Sequence, residues 1–232
     1  MRRFALLPCV LLAALSSVAG KPVSAETFSN CSNDGQMAPR LLVERFMSAD
    51  CADCWTDAPS LALPRGAIAL DWVVPGAHGD EAAMSAVARR DAQDRLQALG
   101  LSVNALGHAL HRSQRVGRHR LRVQHGPAVG DHAGASLAFH AQRGARGPFT
   151  GWLALAEWLP AGTEGSPVPR VLVRNLLTEP IAAQPANDWP QLWRPMNLPE
   201  GAQPARMGVV GWVTDERGRV VALAQAHCPA KP

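Results

Sequence analysis

The sequence contains no tyrosine, and the motifs of several common enzyme classes are also missing. It has no Gly-x-Ser-x-Gly, which excludes the usual nucleophile turn of α/β-hydrolases. A glycine-rich phosphate loop and a His-Glu-x-x-His zinc motif are absent as well. No internal repeat or low-complexity tract is found.

The sequence also lacks a large excess of charge of one sign, because its formal net charge is only +4 over 232 residues. Basic residues cluster between positions 112 and 122, but they lack the charge density and the aromatic platforms of a nucleic-acid site. We interpret this cluster as a solvated strand-and-turn surface. No nucleic-acid partner is predicted.

Long apolar runs are confined to the N-terminus. Two arginines precede an apolar stretch over residues 4–18, and small residues follow, as in a secretory signal peptide. Residues 23–25 fit a cleavage site, with residues 17–19 as a nearer alternative, and a retained anchor is the competing interpretation. We assign residues 1–25 to the signal peptide. No later segment has the length of a membrane span, so the prediction is a periplasmic or secreted protein without a stable span after cleavage.

Cysteines are few, and one of the five lies inside the signal peptide. An even number in an exported chain indicates two disulfides, which can pair in three ways. The most economical assignment joins Cys51 to Cys54 and leaves Cys31 for Cys228, which closes a loop of nearly the whole mature chain. The alternative is that Cys31 and Cys228 are free.

The Cys51–Cys54 pair is the most informative motif. Residues 41–47 are apolar enough for a core strand, and residues 55–63 can form a short helix. Two thiols three positions apart between a strand and a helix are typical of thioredoxin-type redox proteins. We predict that Cys51 is the nucleophile, because it would lie at the N-terminus of the helix, where the helix dipole favours a thiolate. Cys54 would then resolve the mixed disulfide.

Three neighbours qualify this assignment. Asp50 and Asp53 place negative charge beside the cysteines and oppose a thiolate, so the predicted pair is weakly oxidising or reducing. Trp55 could cover the disulfide, receive a partner or simply pack.

Two other functions remain open for the same motif. The disulfide could be a permanent staple in a binding or structural protein. Copper is a minor alternative, with Met47, Cys51 and Cys54 as soft ligands and a histidine completing the site. No cofactor is predicted, and the partners implied by redox chemistry are other exported proteins, through mixed disulfides.

The rest of the chain indicates an α/β protein. Residues 67–74 predict a buried strand, and Asp80 is a plausible N-cap for a helix over residues 81–99. Beyond residue 101, short β-prone segments alternate with glycine and proline clusters, and residues 207–224 predict a hairpin. The predicted organisation is a thioredoxin-like unit over residues 38–118 and a β-rich region over residues 119–232.

Residues 43–55 read Val-Glu-Arg-Phe-Met-Ser-Ala-Asp-Cys-Ala-Asp-Cys-Trp. This stretch resembles the Val-Glu-Leu-Phe-Thr-Ser-Gln-Gly-Cys-x-x-Cys-Pro motif of exported thioredoxin-like proteins grouped under a domain of unknown function, DUF1223. The resemblance implies a divergent member with a thioredoxin-like fold and Cys51 and Cys54 at its site. The chain departs from that family near residues 104–108, where thioredoxin-like folds keep a cis-proline facing the CxxC and this sequence has no proline.

Overall fold

The described part of the chain forms two β-sheets with short α-helices beside the larger one. A computed structural model describes residues 30–56, 63–103, 107–117, 119–182 and 190–228. Single-turn 3-10 helices lie at Gly79–Glu81, Ser85–Val87 and Pro204–Arg206. The strands and α-helices in chain order are β1 (Cys31–Ser32), β2 (Leu41–Ser48), α1 (Ala52–Thr56), β3 (Ala67–Val74), α2 (Arg90–Ala98), β4 (His108–Gln114), β5 (Arg120–Val129), β6 (His132–His140), β7 (Phe149–Leu159), β8 (Arg170–Ile181), β9 (Leu192–Asn197), β10 (Met207–Asp215) and β11 (Val220–Ala226).

The larger sheet has seven strands in the order β11-β10-β7-β8-β3-β2-β4. Strand β3 runs parallel to both of its neighbours, β2 and β8, whereas β4 runs antiparallel to β2. A strand in a parallel segment is covered on both faces, which explains why β3 is apolar at nearly every position. The CxxC follows β2, the strand between β3 and the edge strand β4 of this mixed sheet.

The two helices cover opposite faces of this sheet. Ala92 and Leu96 of α2 join the cluster that contains Phe46 and Trp72, whose rings stack. Trp55 of α1 instead joins a cluster with Met47, the residue after Phe46. Because successive strand residues point to opposite faces, α1 and α2 lie on different sides of the sheet.

The smaller sheet has the order β1-β5-β6-β9 and packs face to face on the β7–β10–β11 half of the larger one. Gly211 of β10 lies where the sheets meet. A Cβ atom there would approach Val123 to 2.5 Å and Leu137 to 3.1 Å. Glycine at this position thus allows the sheets to approach closely.

A disulfide joins the two ends of the described chain. Cys31 in β1 and Cys228, just after β11, are bonded across a sequence separation of 197 residues. The second described disulfide joins Cys51 and Cys54. The economical pairing predicted from the cysteine count is confirmed.

The predicted strands agree with the structure better than the predicted helices do. Residues 67–74 form β3, and β10 and β11 form the expected hairpin. The helix predicted over residues 81–99 is wrong, because α2 occupies only Arg90–Ala98. The preceding backbone bonds to strand ends instead: Met84 N–H donates to the Ala49 carbonyl and Arg89 N–H to the Val73 carbonyl.

The described residues form a mixed α/β structure with mostly strands, which confirms the predicted α/β class and β-rich character. The larger sheet spans the predicted division at residue 118, since β8 pairs with β3. The signal peptide predicted for residues 1–25 lies outside the described residues. No helix in the described ranges is long and apolar enough to cross a membrane.

Candidate functional site

The two central cysteines lie at the junction of β2 and α1. Cys51 directly precedes the helix, Cys54 lies within it, and their Cα atoms are 5.3 Å apart in the closed disulfide. The backbone N–H of Cys54 donates to Cys51 Sγ at 3.2 Å. A donor at this distance would stabilise negative charge on Cys51 after reduction.

Access to the two sulfur-bearing residues is unequal. Cys51 is 6 % exposed, whereas Cys54 is only half-buried. Cys54 Sγ lies 3.7 Å from the carbonyl oxygen of Gly107, the residue before β4. A partner would therefore meet the Cys54 side of the disulfide and the start of β4 first.

Asp50 faces the loop after β3. Its carboxylate accepts hydrogen bonds from Ala77 N–H at 2.7 Å and His78 N–H at 3.3 Å, and His78 Nδ1 lies 3.0 Å away. Burial acts to raise the pKa of Asp50, but these hydrogen bonds outweigh it and the pKa lies below its usual value. Much of the Asp50 charge is therefore compensated by the loop.

Gly76 makes room for this carboxylate. A Cβ atom on residue 76 would lie 2.2 Å from Asp50 Oδ1, so with any other residue there the carboxylate or the loop would have to shift. Glycine at position 76 lets the loop pass over Asp50 in its observed position. Asp53, the other predicted acidic neighbour, is exposed on α1.

Trp55 is buried against a loop of the β-rich region. Its indole Nε1–H donates to the Glu164 carbonyl at 2.7 Å, and the Arg170 guanidinium lies over its ring, 4.3 Å from the ring centroid. Glu164 has a positive φ of 51°, which is uncommon for a residue with a side chain. These contacts support packing as the role of Trp55, rather than covering the disulfide or receiving a partner.

Below the helix, Asp71 binds two arginines. Its fully buried carboxylate accepts hydrogen bonds from Arg45 Nη2 at 2.6 Å and Arg170 Nη1 at 3.0 Å, and also from the Val171 N–H. Burial lowers the pKa of Arg170, and the charge of Asp71 opposes that change. Arg170 also donates to the Trp55 carbonyl at 2.7 Å, which connects this network to α1.

This network was not predicted from the sequence, although one signal was present. Asp71 interrupts an otherwise apolar strand, and a carboxylate buried on a central strand needs a charged or hydrogen-bonding partner. Nothing in the pattern identified Arg170, which is 99 positions away. The partner of Glu44 was not predicted either: its buried carboxylate forms a bidentate ion pair with Arg95 of α2.

Metal binding has little support in this geometry. The residues described contain no group of three or more histidine, cysteine, aspartate or glutamate side chains that could hold a metal ion. For copper, the three soft ligands considered are Met47, which is buried, and two cysteines that are joined in a disulfide. A disulfide sulfur carries no thiolate to bind a metal.

Comparison with protein-family models, with curated proteins and with solved structures gives no match. The resemblance of residues 43–55 to DUF1223 proteins therefore stays a prediction from the sequence. A function can therefore be argued only from the geometry around the cysteines.

Proposed function

We propose that this protein is an exported thiol–disulfide oxidoreductase that acts on other exported proteins through Cys51 and Cys54. The observation that carries the proposal is the hydrogen bond from Cys54 N–H to Cys51 Sγ at the β2–α1 junction. It would lower the energy of a Cys51 thiolate relative to the thiol, and the thiolate is the reactive species.

The surrounding strands are compatible with a thioredoxin-like unit. Parallel β2 and β3 flank α1 in sequence, and β4 lies antiparallel beside β2. The contact between Cys54 Sγ and the Gly107 carbonyl places the start of β4 next to the disulfide. In thioredoxin-like folds a cis-proline faces the CxxC. Here the Gly107 carbonyl lies beside the CxxC.

In the reducing direction, the Cys51 thiolate attacks one sulfur of a substrate disulfide. The substrate S–S bond breaks, a mixed disulfide forms, and the released substrate thiolate takes a proton from water. The Cys54 thiolate then attacks Cys51 Sγ, which closes the Cys51–Cys54 bond and frees the second substrate thiol. Two electrons pass to the substrate, and the reverse sequence oxidises a dithiol.

The reduction potential of the pair should be weakly oxidising or reducing. The exposed Asp53 carboxylate opposes a thiolate. Asp50, which directly precedes Cys51, opposes it less, because the loop compensates much of its charge. Equilibration with glutathione or dithiothreitol buffers measures the potential. A value near about −120 mV, that of a strong oxidant, would contradict this part of the proposal.

An exported location belongs to the same proposal. Two closed disulfides are consistent with an oxidising compartment, such as the periplasm or the cell exterior. Such a compartment would also supply substrates that carry disulfides.

The burial of Cys51 favours a second candidate, a non-catalytic protein in which the disulfide is a staple. A residue that is 6 % exposed is difficult for a substrate thiolate to reach. In this case the disulfide would shape the β2–α1 junction and exchange with nothing.

A trapping experiment separates the two candidates. The Cys54→Ser variant is expressed in its native compartment, and adducts are identified on non-reducing gels by mass spectrometry. Exchange predicts adducts through Cys51 that are absent from a Cys51→Ser/Cys54→Ser control. Cys51→Ser is tested in parallel, and adducts formed only by that variant would reverse the two roles.

Thiol labelling of the wild-type protein gives an independent result. Partial reduction of Cys51 and Cys54 in cells supports exchange. Complete oxidation that resists mild reductant, with no adduct from either single variant, would overturn the proposal in favour of the staple.

A further inference from the structure

A polar pocket of about 350 Å³ lies on the smaller sheet, beside the loop that follows β1. Five of its lining residues are basic, and we call it the arginine pocket after Arg115, Arg120 and Arg122; His119 and His140 are the other two. Asp34 is its one acidic lining residue. The basic residues between positions 112 and 122 were interpreted as a solvated surface, but the fold brings four of them and His140 together around a cavity.

The pocket carries more positive charge than its own carboxylate neutralises. Both oxygens of Asp34 accept hydrogen bonds from Arg122, the shortest being 2.7 Å from Nη2. These hydrogen bonds lower the pKa of Asp34, so that it stays ionised. Within the described ranges, Arg115 and Arg120 form no salt bridge and no side-chain hydrogen bond, and the charge of Arg120 also lowers the pKa of Asp34. Three arginines of the pocket therefore share one lining carboxylate.

The rim of the pocket is fixed by hydrogen bonds on the protein side. The Asn33 side chain donates to the Leu121 carbonyl at 3.1 Å and accepts from Val123 N–H at 2.8 Å. On another side, Arg115 N–H donates to the Arg40 carbonyl at 2.9 Å. The backbones that carry the cations are therefore preorganised, which reduces the entropy lost when a ligand binds.

His119, which lines the pocket, carries an N–H donor even when it is uncharged. Its Nδ1 accepts a hydrogen bond from Gln142 N–H at 2.9 Å, so the neutral ring carries its proton on Nε2. Burial lowers the pKa of His119, and the ring packs against Phe139 and Phe149. The hydrogen bond from Gln142 therefore selects one tautomer of the neutral imidazole.

We propose that the arginine pocket binds a small molecule through a phosphate or sulfate ester group. Arginine guanidinium groups match the tetrahedral oxyanions of such esters with paired N–H donors. The volume is at the lower end of the range of about 300–1,000 Å³ for small-molecule sites, which leaves room for a sugar-sized remainder beside the anion. This site is independent of the redox proposal, because none of its lining residues touches the Cys51–Cys54 disulfide.

Titration calorimetry on the full chain tests the proposal. The probes are inorganic phosphate, inorganic sulfate, glucose 6-phosphate, glucose 6-sulfate and glucose. We expect at least one anion to bind, its glucose ester to bind more tightly and glucose not to bind. Affinity should fall as sodium chloride is added, because salt screens the charges. The comparison between the two esters identifies the preferred anion.

Matched variants locate the site. Arg115→Gln/Arg120→Gln should weaken binding of the preferred ester by about tenfold or more, which corresponds to the loss of one or two charge-assisted contacts. Arg90→Gln/Arg146→Gln removes two exposed charges outside the pocket and should change affinity less than twofold. An equal loss in both double variants would show that net charge alone attracts the anion and would overturn the proposal.

NMR chemical shifts of the backbone amides test the proposal on the wild-type protein alone, so the result does not depend on whether a variant folds. Glucose 6-phosphate, or the sulfate ester if it binds more tightly, should shift the NMR signals of residues 33–35 and 119–122. No shift at millimolar ester, or shifts confined to other residues, would overturn the proposal.

Discussion

The guanidinium group of Arg170 lies over the indole ring of Trp55, and its Nη2 donates a hydrogen bond to the Trp55 carbonyl oxygen at 2.7 Å. A residue at the start of β8 thereby binds the short helix that carries Cys54. The same guanidinium binds Asp71 through Nη1 and Ser166 through Nε. The β-rich region thus contributes directly to the shape of the β2–α1 junction.

Replacing Arg170 should destabilise the protein strongly. Arg170→Met retains most of the side-chain volume but leaves Asp71 with only one arginine partner in the interior. Losing one member of a buried ion pair costs about 3–5 kcal/mol, and the remaining Arg45 contact places the expected loss near about 3 kcal/mol. Urea unfolding at neutral pH measures the change.

The matched control for this variant is Arg194→Met. Arg194 forms an ion pair with Glu179 on the surface, where such pairs contribute about 0–1 kcal/mol. Equal effects of the two variants would show that the buried Arg170 network does not stabilise the fold.

Gly76→Ala should disturb the environment of the cysteines. The new Cβ atom would lie 2.2 Å from Asp50 Oδ1, so the carboxylate or the loop must move. Overpacking of this kind costs about 1–3 kcal/mol. Gly134→Ala is the control, because a Cβ atom there meets nothing within 4 Å and should change stability by less than about 0.5 kcal/mol.

A double variant tests the cause of the Gly76 effect. Asp50→Ala removes the carboxylate that the new Cβ atom would meet, so Asp50→Ala/Gly76→Ala should lose less stability than the sum of the single variants. Additive losses would show that the glycine is required for a different reason.

The disulfide between Cys31 and Cys228 should contribute far more stability than the one between Cys51 and Cys54. Cross-linking restricts the unfolded chain in proportion to the logarithm of the loop length. The separation of 197 residues gives about 5 kcal/mol, whereas a separation of 3 gives about 2 kcal/mol. Thermal unfolding of Cys31→Ser/Cys228→Ser and Cys51→Ser/Cys54→Ser checks this order, and a reversed order would contradict it.

Asp50 should make the stability of the protein depend on acid pH. Its folded-state pKa lies below the unfolded value of about 3.9, so its contribution is present above that pH and is lost as the pH falls through the folded-state pKa. The difference in unfolding free energy between wild type and Asp50→Asn should therefore shrink below about pH 4.

Urea unfolding of both proteins at a series of pH values between neutral and strongly acidic gives this difference. Asp53→Asn, which removes an exposed charge from α1, controls for the local loss of negative charge. A gap between wild type and Asp50→Asn that stays constant or widens toward acid pH would refute the assignment.

Local patterns in the sequence predicted the strands around the cysteines and the pairing of the cysteines. Residues 67–74 form a largely apolar run that predicts a buried strand, and β3 has those bounds. The helix over residues 81–99 was predicted incorrectly because composition alone does not reveal that the Met84 and Arg89 amides bind strand ends. Long-range backbone hydrogen bonds override helix propensity in that segment.

The amino-acid sequence by itself determined that a Cys-x-x-Cys pair follows a core strand and that four cysteines can close two bridges. Tertiary structure alone decided that β8 lies beside β3, that Asp71 meets Arg170 and that three arginines share a cavity. The physical reason is that side-chain periodicity specifies which face of a strand is buried but not which distant segment covers it. Those partners are selected when the whole core packs.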